Sequence, residues 1–307
     1  MKTLFLAFAA LFLPTIVHAA PSDGITTCDA AWHDVARNRD VPVRIRMPAG
    51  IGKAPVILFS HGLGGSLGSG TDWTVAWAKA GFIVINLQHP GSDRSILRKG
   101  GIAAAMSPTQ LAARVGDVHF VLDALGRDPR AGACDLRRAD LAHVGMSGHS
   151  FGAITTQAIA GQHFPSGEIT GDPRVKAAIA FSPSPPAWES DAGAFGTISM
   201  PFFSITGTAD FVPITPNITP KDRERPFRAM PRGGKYLLVL QGASHMMFNG
   251  QDGRPAPSSK PTPHVRETVI AATTLFWRWT LDGDVEAKRR LDKFAAALTP
   301  GDRFEMR

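Results

Sequence analysis

Two kinds of apolar run alternate along the chain. Pro55-Val56-Ile57-Leu58-Phe59-Ser60 and Phe82-Ile83-Val84-Ile85-Asn86 are short and nearly continuous, the pattern of strands buried on both faces. Val41–Met47, ended by Pro48, reads as an earlier strand, and Ala142–Met146, Val175–Phe181, Phe202–Thr206 and Tyr236–Leu240 read as later ones. Between them lie stretches with helical spacing. Thr109–Leu125 places Leu111, Val115, Val118, Val121, Leu122 and Leu125 on one stripe, and Trp73–Ala80, Phe151–Ala160, His264–Thr280 and Glu286–Leu298 also suit helices. Strands alternating with helices predict an α/β fold: a mostly parallel central sheet with helices on both faces. In such sheets ligands meet the carboxyl ends of the strands.

The ends refine this picture. Met1-Lys2-Thr3, an apolar run from Leu4 to Val17 and the small residues up to Ala19 describe a secretory signal peptide, with cleavage expected after Ala19. Pro14 and the shortness of the run argue against a membrane anchor. Cys28 lies too far past the apolar core, after Thr27, to be a lipoprotein anchor. Residues 20–307 show no linker or repeat and are expected to form one domain in the periplasm or outside the cell, with no stable membrane insertion.

Charge adds little. The chain of 307 residues carries a formal net charge of +7, with basic clusters at Arg137-Arg138, Lys221–Arg228 and Lys288–Arg290. They read as a solvated basic surface; no nucleic-acid motif accompanies them. Only two cysteines occur. In an exported chain the pair predicts one disulfide, Cys28–Cys134, joining the N-terminal segment to the loop before the Ala142–Met146 strand. Histidines and carboxylates lack ligand-like spacing, so no metal and no cofactor are expected.

Chemistry concentrates at Gly148-His149-Ser150-Phe151-Gly152. A serine set between glycines, where a buried strand passes directly into a helix, has the form of a nucleophile elbow. Gly64-Gly65-Ser66-Leu67-Gly68 fits the same bare pattern, yet no helix starts after Ser66, so Ser150 is the expected nucleophile. A serine hydroxyl needs a base, and the base an orienting acid, in the chain order Ser, acid, His for this architecture. Of the downstream histidines, His163 comes too early and His264 opens a helix, whereas His245 follows a strand and a short turn. Asp210 likewise stands just beyond the Phe202–Thr206 strand; Asp222 and Asp252 lie in Pro- and Gly-rich loops. Backbone donors for an oxyanion are expected from Phe151 and from Leu63 in Ser60-His61-Gly62-Leu63-Gly64-Gly65, where His61 braces the loop.

Together with Asp172-Pro173-Arg174-Val175-Lys176-Ala177 and Gly207-Thr208-Ala209-Asp210, these motifs resemble the bacterial dienelactone-hydrolase-like α/β-hydrolases akin to the platelet-activating-factor acetylhydrolases. The resemblance spans roughly Val41 to His245. It implies an α/β-hydrolase fold, the triad Ser150, Asp210 and His245, and Leu63 and Phe151 as oxyanion donors. Dienelactone hydrolases carry a cysteine nucleophile, so their activity is not implied, and Ala153 stands where the acetylhydrolases often have glycine. Cutinases share the elbow and the secretion.

Trp188, Phe211, Met246, Met247 and Phe248 fall in or beside the expected site loops and are candidates to line an acyl pocket. The segments Ser182–Met200 and Val212–Gly234 are too short for a large lid. These readings together predict an exported serine esterase of short- to medium-chain acyl esters. Polyester hydrolysis, peptidase or amidase activity, and a non-catalytic binding role on the same fold are the alternatives.

Overall fold

The structure, a computed structural model, describes residues 24–96, 101–165, 167, 171–250 and 260–307. The expected signal peptide and Asp252 lie outside the described residues. Eleven strands are present among the described residues: β1 (Ile25–Asp34), β2 (Arg39–Pro48), β3 (Ala54–Ser60), β4 (Ile83–Leu87), β5 (Arg130–Ala131), β6 (Cys134–Asp135), β7 (Ala139–His149), β8 (Val175–Phe181), β9 (Phe202–Ala209), β10 (Lys235–Ser244) and β11 (Arg303–Met306). Nine of them form one sheet in the order β1-β2-β4-β3-β7-β8-β9-β10-β11. From β4 through β10 every neighbouring pair is parallel, while β1, β2 and β11 add antiparallel edges. The α/β reading therefore holds.

The continuous apolar runs are buried on both sides because alternate residues serve different helices. In β3, Val56 and Leu58 pack with the helix α3 (Pro108–Arg127). Ile57 and Phe59 face the opposite way, with α1 (Thr71–Lys79) and the C-terminal helix α7 (Pro263–Asp282), among Trp73, Trp77, Phe276 and Trp277. Gly145 in β7 makes room for that second layer: a Cβ there would sit 2.6 Å from the Trp277 ring. α2 (Ile102–Ala105) precedes α3 and α4 (Phe151–Ile159) follows β7. The segments between β8 and β10 contain only the five-residue helices α5 (Asp191–Phe195) and α6 (Arg225–Ala229) and one 3-10 turn, so among the described residues no large lid covers the strand ends. The helix α8 (Val285–Asp292) is shorter than the predicted Glu286–Leu298, which ends in a 3-10 turn at Phe294–Ala297.

Cys28 in β1 and Cys134 in β6 are joined by a disulfide. The basic clusters are mostly paired at the surface: Arg137 with Asp135, Lys288 with Asp292 and Arg289 with Glu286. Arg223 departs from that reading, being only 2% exposed. No described helix is long and apolar enough to cross a membrane.

Candidate active site

Ser150 joins β7 to α4 with φ 56° and ψ −115°, one of three non-glycine residues at positive φ among those described. Such a conformation costs on the order of 1–3 kcal/mol and persists only where the surroundings impose it. Here they do so through contacts of backbone on backbone. A Cβ on Gly148 would lie 2.3 Å from the carbonyl oxygen of Gly152, and one on Gly152 would lie 1.9 Å from that of Ser60. The amide of Ser150 donates to Phe181 O at 3.0 Å, pinning the turn to the end of β8. Ser66 sits instead in a loop, its Oγ accepting from the amide of Gly68.

Asp210 and His245, 35 residues apart in sequence, meet beyond the ends of β9 and β10. Nδ1 of His245 donates to Asp210 Oδ1 at 2.7 Å, and both side chains are buried. Oδ2 of Asp210 accepts from Thr206 Oγ1 at 2.7 Å. Burial alone would raise the carboxyl pKa; the His245 bond and the charge of Arg223 overcome it and hold the group below its ordinary value. Arg223 is the partner that the sequence reading missed. Its Nε lies 2.8 Å from Asp210 Oδ1 and donates to the main-chain oxygen of Asp210, while Nη1 donates to the carbonyls of Ser182 and Pro183. The other candidates are occupied elsewhere: His163 faces Glu189, His264 pairs with Asp302, and Asp222 accepts from Thr219.

His149, the residue before the serine, donates Nε2–H to the main-chain oxygen of His245 at 2.9 Å, and the two rings lie 4.6 Å apart. Since a carbonyl only accepts, the proton is on Nε2. Burial first and then the neighbouring His245 push His149 well below the usual imidazole pKa, keeping it neutral.

The Leu63 loop is folded tightly onto the same end of the sheet. His61 donates Nδ1–H to Gly62 O at 2.6 Å and accepts the amide of His89 on Nε2 at 3.0 Å, so it braces the loop, as expected. Gly65 is required beneath it, since a Cβ there would fall 2.8 Å from the His61 Cβ and 2.9 Å from its ring. Gly64, at φ 70°, donates to Ser92 O at 2.8 Å. Phe151 opens α4, whose first amides have no partner within the helix.

Ser150, Leu63 and Phe151 share a cleft of about 220 Å³ with Leu111, Ile154 and Trp188. Its walls are mainly apolar, and Arg223 stands at its edge. Of the expected lining residues, Trp188 is there, 66% exposed. Phe211 and Met246 are half exposed and outside the cleft lining, and Phe248 is fully buried in the core, its carbonyl accepting from Trp73 Nε1 at 3.0 Å. Phe248 lies in the 3-10 turn His245–Asn249 that follows β10 and packs into the apolar layer with Trp73, away from the site. Among the described residues no three His, Cys, Asp or Glu side chains gather into a metal-binding group. No protein-family model matches the chain, and a search of curated proteins finds no match.

Proposed function

We propose that the protein is a serine carboxylic ester hydrolase that works through an acyl-enzyme on short- to medium-chain acyl esters. The observation that carries this reading is the buried Asp210–His245 hydrogen bond of 2.7 Å at the end of the sheet where the strained Ser150 opens onto an apolar cleft. In this reading His245 Nε2 takes the Ser150 proton as Oγ attacks the ester carbonyl. The amides of Leu63 and Phe151 donate to the carbonyl oxygen as negative charge develops on it. Collapse expels the alcohol, which leaves with the proton from His245, and the acyl group stays on Ser150. Water then repeats the sequence, giving its proton to His245 and releasing the acid. Asp210 remains ionised throughout and fixes the imidazole's tautomer.

The apolar cleft and the shortness of the helices between β8 and β10 support short acyl chains. Each methylene that fits contributes at most about 0.8 kcal/mol, and that gain ends where the chain leaves the cleft. Export is part of the proposal, supported by the N-terminal leader pattern and by a disulfide suited to an oxidising compartment. The test is a panel of p-nitrophenyl esters from acetate to palmitate, with fluorophosphonate labelling and a Ser150→Ala control. Turnover should peak between acetate and hexanoate and fall by about 10⁴-fold or more in the variant. A maximum at palmitate that needs a lipid interface, or labelling at Ser66, would overturn the reading; equal rates on an ester and its anilide would favour an amidase.

A further inference from the structure

Arg114 belongs to none of the chemistry above, yet it is fully buried in α3. Its four hydrogen bonds go to neutral oxygens on three separate segments. Nη2 donates to the His61 carbonyl oxygen and, at 2.9 Å, to Ser60 Oγ; Nη1 donates to Ser92 Oγ at 2.7 Å; Nε donates to Thr155 Oγ1 at 2.9 Å. The guanidinium carbon also lies 4.5 Å from the centre of the Phe151 ring. One side chain thus grips the loop that carries Leu63, the Ser92 turn that accepts the Gly64 amide, and the helix that starts at Phe151.

The cation has no carboxylate in direct contact among the described bonds. Asp117, one turn along α3, acts on it through space without a direct hydrogen bond, and is joined to it by a relay: its Oδ2 accepts from His89 Nδ1 at 2.9 Å, and His89 Nε2 accepts from Ser60 Oγ at 3.0 Å. Arg37 and Arg39 also pair with Asp117 and divide its charge further. Such an arrangement is poor as a stability device, because apolar side chains of similar volume often replace buried ions without loss. It is well made for holding position. A planar fork with donors in fixed directions sets the spacing of the groups it joins, and donors to an oxyanion act only when they are already in place.

Resting on the ester-hydrolase reading, we propose that Arg114 is a positioning residue that fixes the distance between the two halves of the oxyanion hole, the Leu63 loop and the Phe151 helix end. Its positive charge, left without a direct counter-ion behind that hole, favours the same oxygen anion. Loss of Arg114 should therefore lower kcat and leave KM nearly unchanged.

The test compares Arg114→Met, Arg114→Lys and Thr155→Val with the parent protein, disulfide intact. Active sites are counted by fluorophosphonate titration, so that a misfolded fraction does not enter the rate. On p-nitrophenyl acetate, kcat per titrated site should fall about 10- to 100-fold in Arg114→Met and by less in Thr155→Val, with KM within about 2-fold. Affinity for an alkyl trifluoromethyl ketone, whose hemiketal oxygen occupies the hole, should fall in proportion. Arg114→Lys keeps the charge without the fork and should recover only part of the loss. Unchanged kcat per site and ketone affinity in Arg114→Met, or in Thr155→Val should the former not fold, would overturn the proposal while leaving the ester-hydrolase reading intact. A parent protein with no esterase activity and no label at Ser150 would overturn both.

Discussion

His149 holds His245 through a contact separate from the Asp210 bond: one histidine donates to the other's main-chain oxygen while their rings lie against each other. The residue before Ser150 therefore also sets the place of His245. Replacing His149 by Leu removes the donor, and a hydrogen bond of this type is worth about 0.5–1.5 kcal/mol. Turnover of p-nitrophenyl acetate should fall about 3- to 10-fold. His149→Gln, which can present an amide N–H toward the same carbonyl, should retain most of the rate; equal loss in both variants would remove the hydrogen bond from the explanation.

Gly152→Ala should be far more damaging than its one added methyl suggests. The new Cβ would meet the Ser60 carbonyl carbon and oxygen, which are main-chain atoms of β3 and cannot swing aside. Overpacking typically costs about 1–3 kcal/mol. Urea unfolding should show a loss at or above the upper end of that range, together with loss of fluorophosphonate labelling. Gly132→Ala is the matched control: a methyl there meets nothing within 4 Å, although its φ of 58° leaves some strain.

Acid should weaken the fold, beginning above the ordinary carboxylate range. Burial, reinforced by Arg114, pushes His89 down to about 4 and His61 well below its ordinary value, and burial does the same for His149. In the unfolded chain these imidazoles take protons near pH 6.5. Between pH 6.5 and 4 the unfolded state therefore binds more protons, and stability falls as pH falls. The stabilisation is complete above pH 6.5, and His89 alone accounts for about 3 kcal/mol lost by pH 4. Urea midpoints from pH 7.5 to 4.5 should decline steadily, and less steeply in His89→Gln. A flat profile would show that the three rings are not held neutral.

The Cys28–Cys134 bond spans 106 residues. In the chain-entropy account a loop of that length contributes about 4 to 5 kcal/mol, and the Cys28→Ser, Cys134→Ser double variant should lose a comparable amount of unfolding free energy. Thiol titration of the denatured, unreduced protein should find no free thiol. Two would contradict the bond.

The parts of this molecule that could be read from sequence are those whose cause is local. β3, β4 and β8 announce themselves as apolar runs because both of their faces are covered. Ser150, Asp210 and His245 each follow a strand directly, so position along the chain places them at one end of the sheet. β1 was missed: as an edge strand with one mostly exposed face, its residues Ile25–Asp34 lack a clear apolar repeat. Arg223 and His89 were missed because their partners lie 13 to 41 residues away and leave no pattern nearby. Arg114 did leave one. It stands three residues after Leu111 and four before Val118, a charge set into the apolar stripe of its own helix, and a charge in that place is buried against something.

The disulfide divides the proposed machinery in a way that neither half of the site reveals by itself. The covalent ring it closes, from residue 28 to residue 134, contains Leu63, His61, His89, Arg114 and Asp117, whereas Ser150, Asp210 and His245 all lie beyond it. Ser150, Asp210 and His245 thus belong to the open part of the chain, and the Leu63 loop to the cyclised part. Because the bond acts mainly by constraining the unfolded chain, reduction would lower the folded fraction without moving the groups of either part.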